Sequence, residues 1–120
     1  MKIGFFEIES WEKDVFSKAF PKGKLFFSTV KITAQNSHKY KDLEAISIFV
    51  YSKIDQVILN HLPKLKLITT RSTGFDHLNL ESCKKKNITL CNVPAYGENT
   101  VAEHTFALIL ALSRKILDCV

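Results

Sequence analysis

Leu65-Lys66-Leu67-Ile68-Thr69-Thr70, Arg71-Ser72-Thr73-Gly74-Phe75-Asp76-His77-Leu78, Asn79-Leu80-Glu81-Ser82-Cys83-Lys84-Lys85-Lys86 and Ile88-Thr89-Leu90-Cys91 follow one another with only Asn87 between the last two blocks. The stretch reads as strand, glycine turn, short helix, strand. Residues 65–70 and 88–91 are apolar and rich in β-branched side chains, which suits buried strands. Asn79 can cap the helix by accepting an early amide with its side-chain oxygen. The run Lys84-Lys85-Lys86 then puts cations in the last turn, where they complement the helix dipole; it reads as a solvated helix end rather than a nucleic-acid patch. Strands joined through a helix lie parallel, because a tight hairpin is replaced by a crossover.

The same alternation continues towards the N-terminus. Ile3-Gly4-Phe5-Phe6 is a first strand and Leu25-Phe26-Phe27 a second. Between them Ser10 is placed to cap a helix over 11–20 whose apolar face is Val15, Phe16, Ala19 and Phe20; Pro21 and Gly23 end it. Residues 37–44 are polar and suit a short, weak helix. Residues 46–50 make a third strand. Ile54, Val57, Ile58 and Leu62 then recur at helical spacing until Pro63. Strand and helix alternating at short intervals predict an α/β fold with a parallel sheet and helices on both faces. Right-handed crossovers favour a doubly wound, flavodoxin-like sheet of five strands in the order 2-1-3-4-5.

Towards the C-terminus the pattern changes. Residues 100–117 predict one long helix, with Thr100 and Glu103 in S/T-x-x-E spacing for a capping box. Phe106 to Leu112 is apolar on every side. Such a helix has to be covered all round, and one sheet covers a single side. The expected division is therefore one sheet body over 1–99 and, over 100–120, the start of a helix leading towards a further domain.

Bulk properties narrow the function classes. The chain has 120 residues, 46% hydrophobic, with a net charge of +5 from scattered basic residues. That suits one folded domain and does not suggest a nucleic-acid partner. Cys83, Cys91 and Cys119 are an odd number without a CxxC pair, so neither a disulfide framework nor a zinc site is expected. Glu7 and Glu9 interrupt any signal-peptide core. The longest apolar run is far shorter than the roughly 20 residues of a membrane helix. A reducing cytoplasm and no membrane are the expected setting.

In a doubly wound sheet, ligands bind beyond the carboxyl ends of the strands. Three loops should meet there, around Tyr51-Ser52, around Arg71-Ser72-Thr73-Gly74 and around Asn92 to Gly97. Ser72-Thr73-Gly74 can aim successive amides at a carboxylate, with Gly74 free to take a positive φ; the plain alternative is an ordinary glycine turn. Tyr51 and Tyr96 can each bring a phenol to the same anion, or can simply pack as amphipathic side chains. Other groups carry less. Glu103 is assigned to the helix cap, and His104 beside it faces elsewhere. Asp76 suits local turn amides, Cys91 a small filler at the end of a buried strand, and His38 and His61 lack partners at ligand spacing. Glycine occurs at positions 4, 23, 74 and 97, which cannot form the GxGxxG dinucleotide fingerprint.

From Leu65 onward four blocks occur in order: Leu65-Lys66-Leu67-Ile68; Arg71-Ser72-Thr73-Gly74-Phe75-Asp76-His77; Asn92-Val93-Pro94-Ala95-Tyr96; and Val101-Ala102-Glu103-His104-Thr105-Phe106-Ala107. Together they closely resemble the D-isomer-specific 2-hydroxyacid dehydrogenases, most of all the D-lactate dehydrogenase branch, and Ile48-Phe49-Val50-Tyr51 fits the same branch. The resemblance implies two domains with NAD and a 2-keto or 2-hydroxy acid between them. It implies that the Thr73 and Gly74 amides hold the substrate carboxylate, that Tyr51 and Tyr96 approach the substrate, and that Val101 lies near the nicotinamide. It implies that the long helix crosses into the cofactor domain and joins a homo-oligomer. The family's catalytic Arg, Glu and His, which serve hydride transfer to the keto carbon, fall beyond Val120, so no catalytic residue is expected in this chain, and His77 and His104 are not that histidine. A non-catalytic carboxylate-binding module is the competing reading. A response-regulator-like domain is a weaker one, since Glu7 and Glu9 poorly match the acidic cluster it needs.

Overall fold

The computed structural model describes residues 1–116. Its sheet has β1 (Lys2–Phe5), β2 (Lys24–Phe27), β3 (Ala45–Ile48), β4 (Leu67–Thr70) and β5 (Thr89–Cys91), in the order β2-β1-β3-β4-β5. Every pairing is parallel. The helices are α1 (Ser10–Ala19), α2 (Gln56–Asn60), α3 (Leu80–Lys85) and α4 (Glu98–Ser113), with one 3-10 turn at Ser37–Tyr40. The flavodoxin-like order expected from the sequence is the one found.

Register assigns each side chain to a face. Ile46 pairs with Gly4 and Ile68, and Ile68 with Leu90, so these residues point one way. There they join Phe6, Ile48, Ile58, Leu59 and Cys83 in the main core beneath α2 and α3. Gly4 has no side chain because the space is filled: a Cβ there would lie 2.5 Å from Leu43 Cδ1 and 2.9 Å from Phe6 Cε2. On the opposite face, Ile3, Phe5 and Ala45 pack with Phe16 of α1, the Phe5 and Phe16 rings stacking at 4.3 Å. Cover on this face fades across the sheet. Ala45 is buried, its neighbour Leu67 is half-buried, and Thr89 beyond it is exposed.

That gradient corrects the reading of Cys91. The residue shares a face with Thr69, and α1 does not reach that far, so Cys91 is exposed instead of filling a core. Helix starts also differ from expectation. The Glu12 carboxylate accepts the Glu9 amide at 2.7 Å, which makes Glu9, not Ser10, the cap residue of α1. Val15 and Phe20 remain largely exposed, leaving Phe16 as the anchor. Ile54 lies before α2: its amide donates to the His77 carbonyl at 2.8 Å, while the Asp55 carboxylate caps α2 by accepting the Ile58 amide. Asn79 caps α3 as expected, accepting the Ser82 amide at 2.9 Å, with Lys84 and Lys85 in the last turn.

The capping box expected at Thr100 and Glu103 does not form. α4 begins at Glu98 with Gly97 as its cap, so Thr100 already lies inside the first turn. The described helix ends at Ser113, with Lys115 at φ 48 beyond it; the expected end at Leu117, like Cys119, lies outside the described residues. α4 buries none of its residues. Phe106 is 64% and Leu112 76% exposed, and the molecule extends 58 × 33 × 26 Å. No helix among the described residues is long and apolar enough to cross a membrane.

Candidate functional site

The carboxyl ends of β1, β3, β4 and β5 carry a connected polar network. It starts at Glu7, two residues past β1, which has a left-handed backbone with φ 56. For a residue other than glycine this conformation costs roughly 1–2 kcal/mol. The Glu7 carboxylate accepts the Phe49 amide at 3.1 Å and the Tyr51 amide at 2.8 Å. It also accepts the Ser52 hydroxyl, and Ser52 Oγ in turn accepts the Ile32 amide at 3.1 Å. Three donors thus converge on one carboxylate and fix the loop after β3.

Arg71, one residue past β4, joins this loop to the next. Its guanidinium donates to the Phe6 and Glu7 carbonyls, both at 2.9 Å, and to Ser47 Oγ at 3.1 Å. Its Nε lies 3.4 Å from the Glu12 carboxylate of α1. Burial lowers the Arg71 pKa from its ordinary value, and the charges of Glu12 and Glu7 oppose that shift. The residue is a partly buried structural bolt whose guanidinium is tied to β3, to α1 and to the segment just after β1.

The turn after β4 has its own relay. His77 Nε2 lies 3.1 Å from Thr70 Oγ1, Thr70 Oγ1 lies 2.6 Å from Ser72 Oγ, and Ser72 Oγ donates to the Gly74 carbonyl at 2.8 Å. A carbonyl only accepts, and each hydroxyl has one hydrogen. Thr70 therefore donates to Ser72, and His77 donates from Nε2 to Thr70. This relay spends the His77 Nε2 hydrogen and holds the Gly74 carbonyl. Among the described residues, none accepts a hydrogen bond from the Thr73 or Gly74 amide. Both residues are exposed, and a Cβ on Gly74 would meet nothing nearer than Asp76 Oδ1 at 3.8 Å. Gly74 does not take the positive φ expected of it; its contribution is the open space above its backbone. Asp76 makes no hydrogen bond to turn amides among the described residues, because the relay through Ser72 and His77 already orders the turn.

The loop after β5 is tied to the same turn. Asn92 Nδ2 donates to the Thr73 carbonyl at 2.8 Å, and the Val93 amide to the Ser72 carbonyl at 3.1 Å. Tyr51 stands 69% exposed above the β3 loop, its ring edge-on to Phe49. It borders a cavity of about 670 Å³ at the topological switch point, lined also by Glu7, Thr29, Lys31 and Phe49. Thus the structure brings Tyr51, Thr73 and Gly74 to one sheet edge and links them through Glu7 and Arg71. Tyr96, 67% exposed, joins none of them by a hydrogen bond or ring contact among the described residues. Val101 is 74% exposed on the first turn of α4. Glu103 and His104 lie exposed on α4, and His61 pairs with the buried Ser37 at 2.8 Å, a structural contact.

The bracing roles of Glu7, Arg71 and Asn92 have no local signature. Their partners lie up to 65 positions away, and no local pattern announces them. The one available signal was a lone Arg at a strand end beside a glycine turn.

Comparison with known proteins identifies the family of the chain. The model of the D-isomer specific 2-hydroxyacid dehydrogenase catalytic domain matches residues 6–116. A glyoxylate reductase of Thermococcus litoralis is 32% identical over 114 residues, covering 95% of this chain and 30% of that protein. A D-lactate dehydrogenase of Staphylococcus aureus is 29% identical, covering 98% of this chain and 37% of that protein. The solved structure of the D-lactate dehydrogenase from Aquifex aeolicus, complexed with NAD and lactic acid, matches with a TM-score of 0.87 and 39% identity. That match covers 97% of this chain and 36% of the other. The chain spans about a third of the length of these relatives.

Proposed function

The chain belongs to the D-isomer specific 2-hydroxyacid dehydrogenase family, and from that premise we propose that it forms the substrate-carboxylate wall of a cleft in which a small, pyruvate-like 2-keto acid and a D-2-hydroxy acid are interconverted. The observation that carries this reading is the turn after β4, where the exposed Thr73 and Gly74 amides have no protein acceptor among the described residues. Two adjacent amides above an open glycine suit one carboxylate, and the relay from His77 to Ser72 keeps them in place without reorganisation. Tyr51 completes the polar rim from the β3 loop, and Tyr96 reaches the substrate once the segment before α4 is covered.

NAD supplies the hydride when bound. The described residues do not form its site: the sequence lacks the phosphate-binding fingerprint, and Val101 offers a single apolar contact for the nicotinamide side. His77 donates its Nε2 hydrogen to Thr70 and so serves the turn, and this reading gives it no acid–base role. The expected working assembly is a homo-oligomer in a reducing cytoplasm, joined through α4. The 120-residue chain alone binds a carboxylate at millimolar strength or weaker and oxidises no NADH with pyruvate. The test is an amide NMR titration with oxamate, run beside an NADH assay. Shifts centred on Thr73 and Gly74 support the reading. Shifts confined elsewhere, or turnover that follows the purified chain, contradict it.

A further inference from the structure

Glu7 is bonded directly to the loop after β3 and, through Arg71, is joined to the turn after β4. Its side chain holds the amides of Phe49 and Tyr51 and the Ser52 hydroxyl on one side. Its carbonyl is held by Arg71, next to the Ser72-Thr73-Gly74 turn, on the other. A glycine would adopt φ 56 without strain. A carboxylate occupies the position instead, at a conformational cost, and its acceptors are filled by loop donors.

We infer that Glu7 is a positioning residue that, with Arg71, sets the spacing between Tyr51 and the Thr73–Gly74 amides and so determines how tightly a 2-keto carboxylate is gripped. This rests on the reading of Thr73 and Gly74 as the carboxylate site. Two features separate it from a plain strand-end cap. The bonded amide of Tyr51 belongs to the rim residue itself, so its loss releases the phenol along with the loop. The second anchor, Arg71 on the Glu7 carbonyl, is main-chain and survives replacement of the side chain. The clamp can therefore be opened on the Tyr51 side alone.

The test uses the 120-residue chain with Glu7→Gly and Glu7→Gln. Glycine removes the carboxylate while relieving the backbone, so the sheet stays folded. Glutamine keeps one side-chain acceptor and should restore part of the grip. Amide hydrogen exchange at Phe49 and Tyr51 should accelerate at least about tenfold in Glu7→Gly and less in Glu7→Gln, with the amides of β3 and β4 unchanged. Oxamate affinity read at the Thr73 and Gly74 amides should fall about fivefold or more in Glu7→Gly, with partial rescue in Glu7→Gln. Unchanged exchange at Phe49 and Tyr51 overturns the clamp. Faster exchange with unchanged oxamate affinity leaves Glu7 a structural cap and overturns its positioning role. No response of Thr73 or Gly74 to oxamate in the parent chain contradicts the carboxylate reading and with it the positioning role; the exchange rates then still show whether the clamp itself exists.

Discussion

The sheet body and α4 are built from similar apolar residues and end in opposite states. Ile46, Ile48 and Ile68 on β3 and β4 are wholly buried, while Leu108, Ile109 and Leu110 on α4 are each more than half exposed. The difference lies in arrangement. On the sheet, alternation gives each side chain a defined face, and α2, α3 and α1 supply covers for most of those faces. On α4 the apolar residues point in all directions, so no single neighbour can cover them. Burial is thus a property of paired surfaces, and α4 presents surface of the kind that expects another polypeptide face.

The largest test of this contrast is a matched truncation. Ile68→Ala should destabilise the chain by about 2–5 kcal/mol, because it removes buried methyl groups and leaves a cavity. Leu110→Ala should stay within about 0.5 kcal/mol at concentrations where the chain is monomeric, as at an ordinary surface position. Urea unfolding of both variants compares them directly. Equal losses would mean that α4 is packed after all.

A smaller effect is expected where local chemistry alone sets an element. Asn79→Ala should cost about 1 kcal/mol by removing the cap of α3. Loss of the expected helix signal without loss of sheet stability would sharpen the distinction between a helix held by its cap and one held by its packing.

The smallest effect separates two cysteines. Burial raises the Cys83 thiol above its ordinary value of 9.0, while Cys91 lies exposed. Because the folded value is the higher one, stability is intact below about pH 9 and declines as pH rises through the folded value, since the unfolded chain ionises first. Cys83→Ala should flatten that alkaline slope. Peptide-resolved alkylation at neutral pH should label Cys91 well before Cys83, and the reverse order would contradict the open face beside β5.

The legible part of this fold was the part written locally. Residues 65–91 announce strand, turn, capped helix and strand in sequence, and crossover handedness then restricts the strand order. The Thr73-Gly74 turn was legible for the same reason. What was not legible depends on distance. Nothing near Cys91 tells that α1 stops short of it, and nothing near Glu7 points to amides 42 and 44 residues away. α4 starts after Gly97 and not at Thr100, although both residues are acceptable caps. A three-residue choice of that kind is settled by the path of the chain leaving β5.

The sheet body is covered on most of its faces, and we propose that another polypeptide surface covers α4. Burying about 300 Å² of its apolar surface is worth roughly 7 kcal/mol at about 25 cal/mol per Å², comparable to a small domain's whole stability. Sedimentation velocity of the 120-residue chain over a concentration series, with amide exchange on α4, tests this most directly. The expected result is self-association, shifted towards monomer by Leu108→Lys or Ile109→Lys with the sheet intact, or else rapid exchange along a frayed helix. A monomer at every concentration, with the amides of Phe106 to Leu112 well protected, would contradict it.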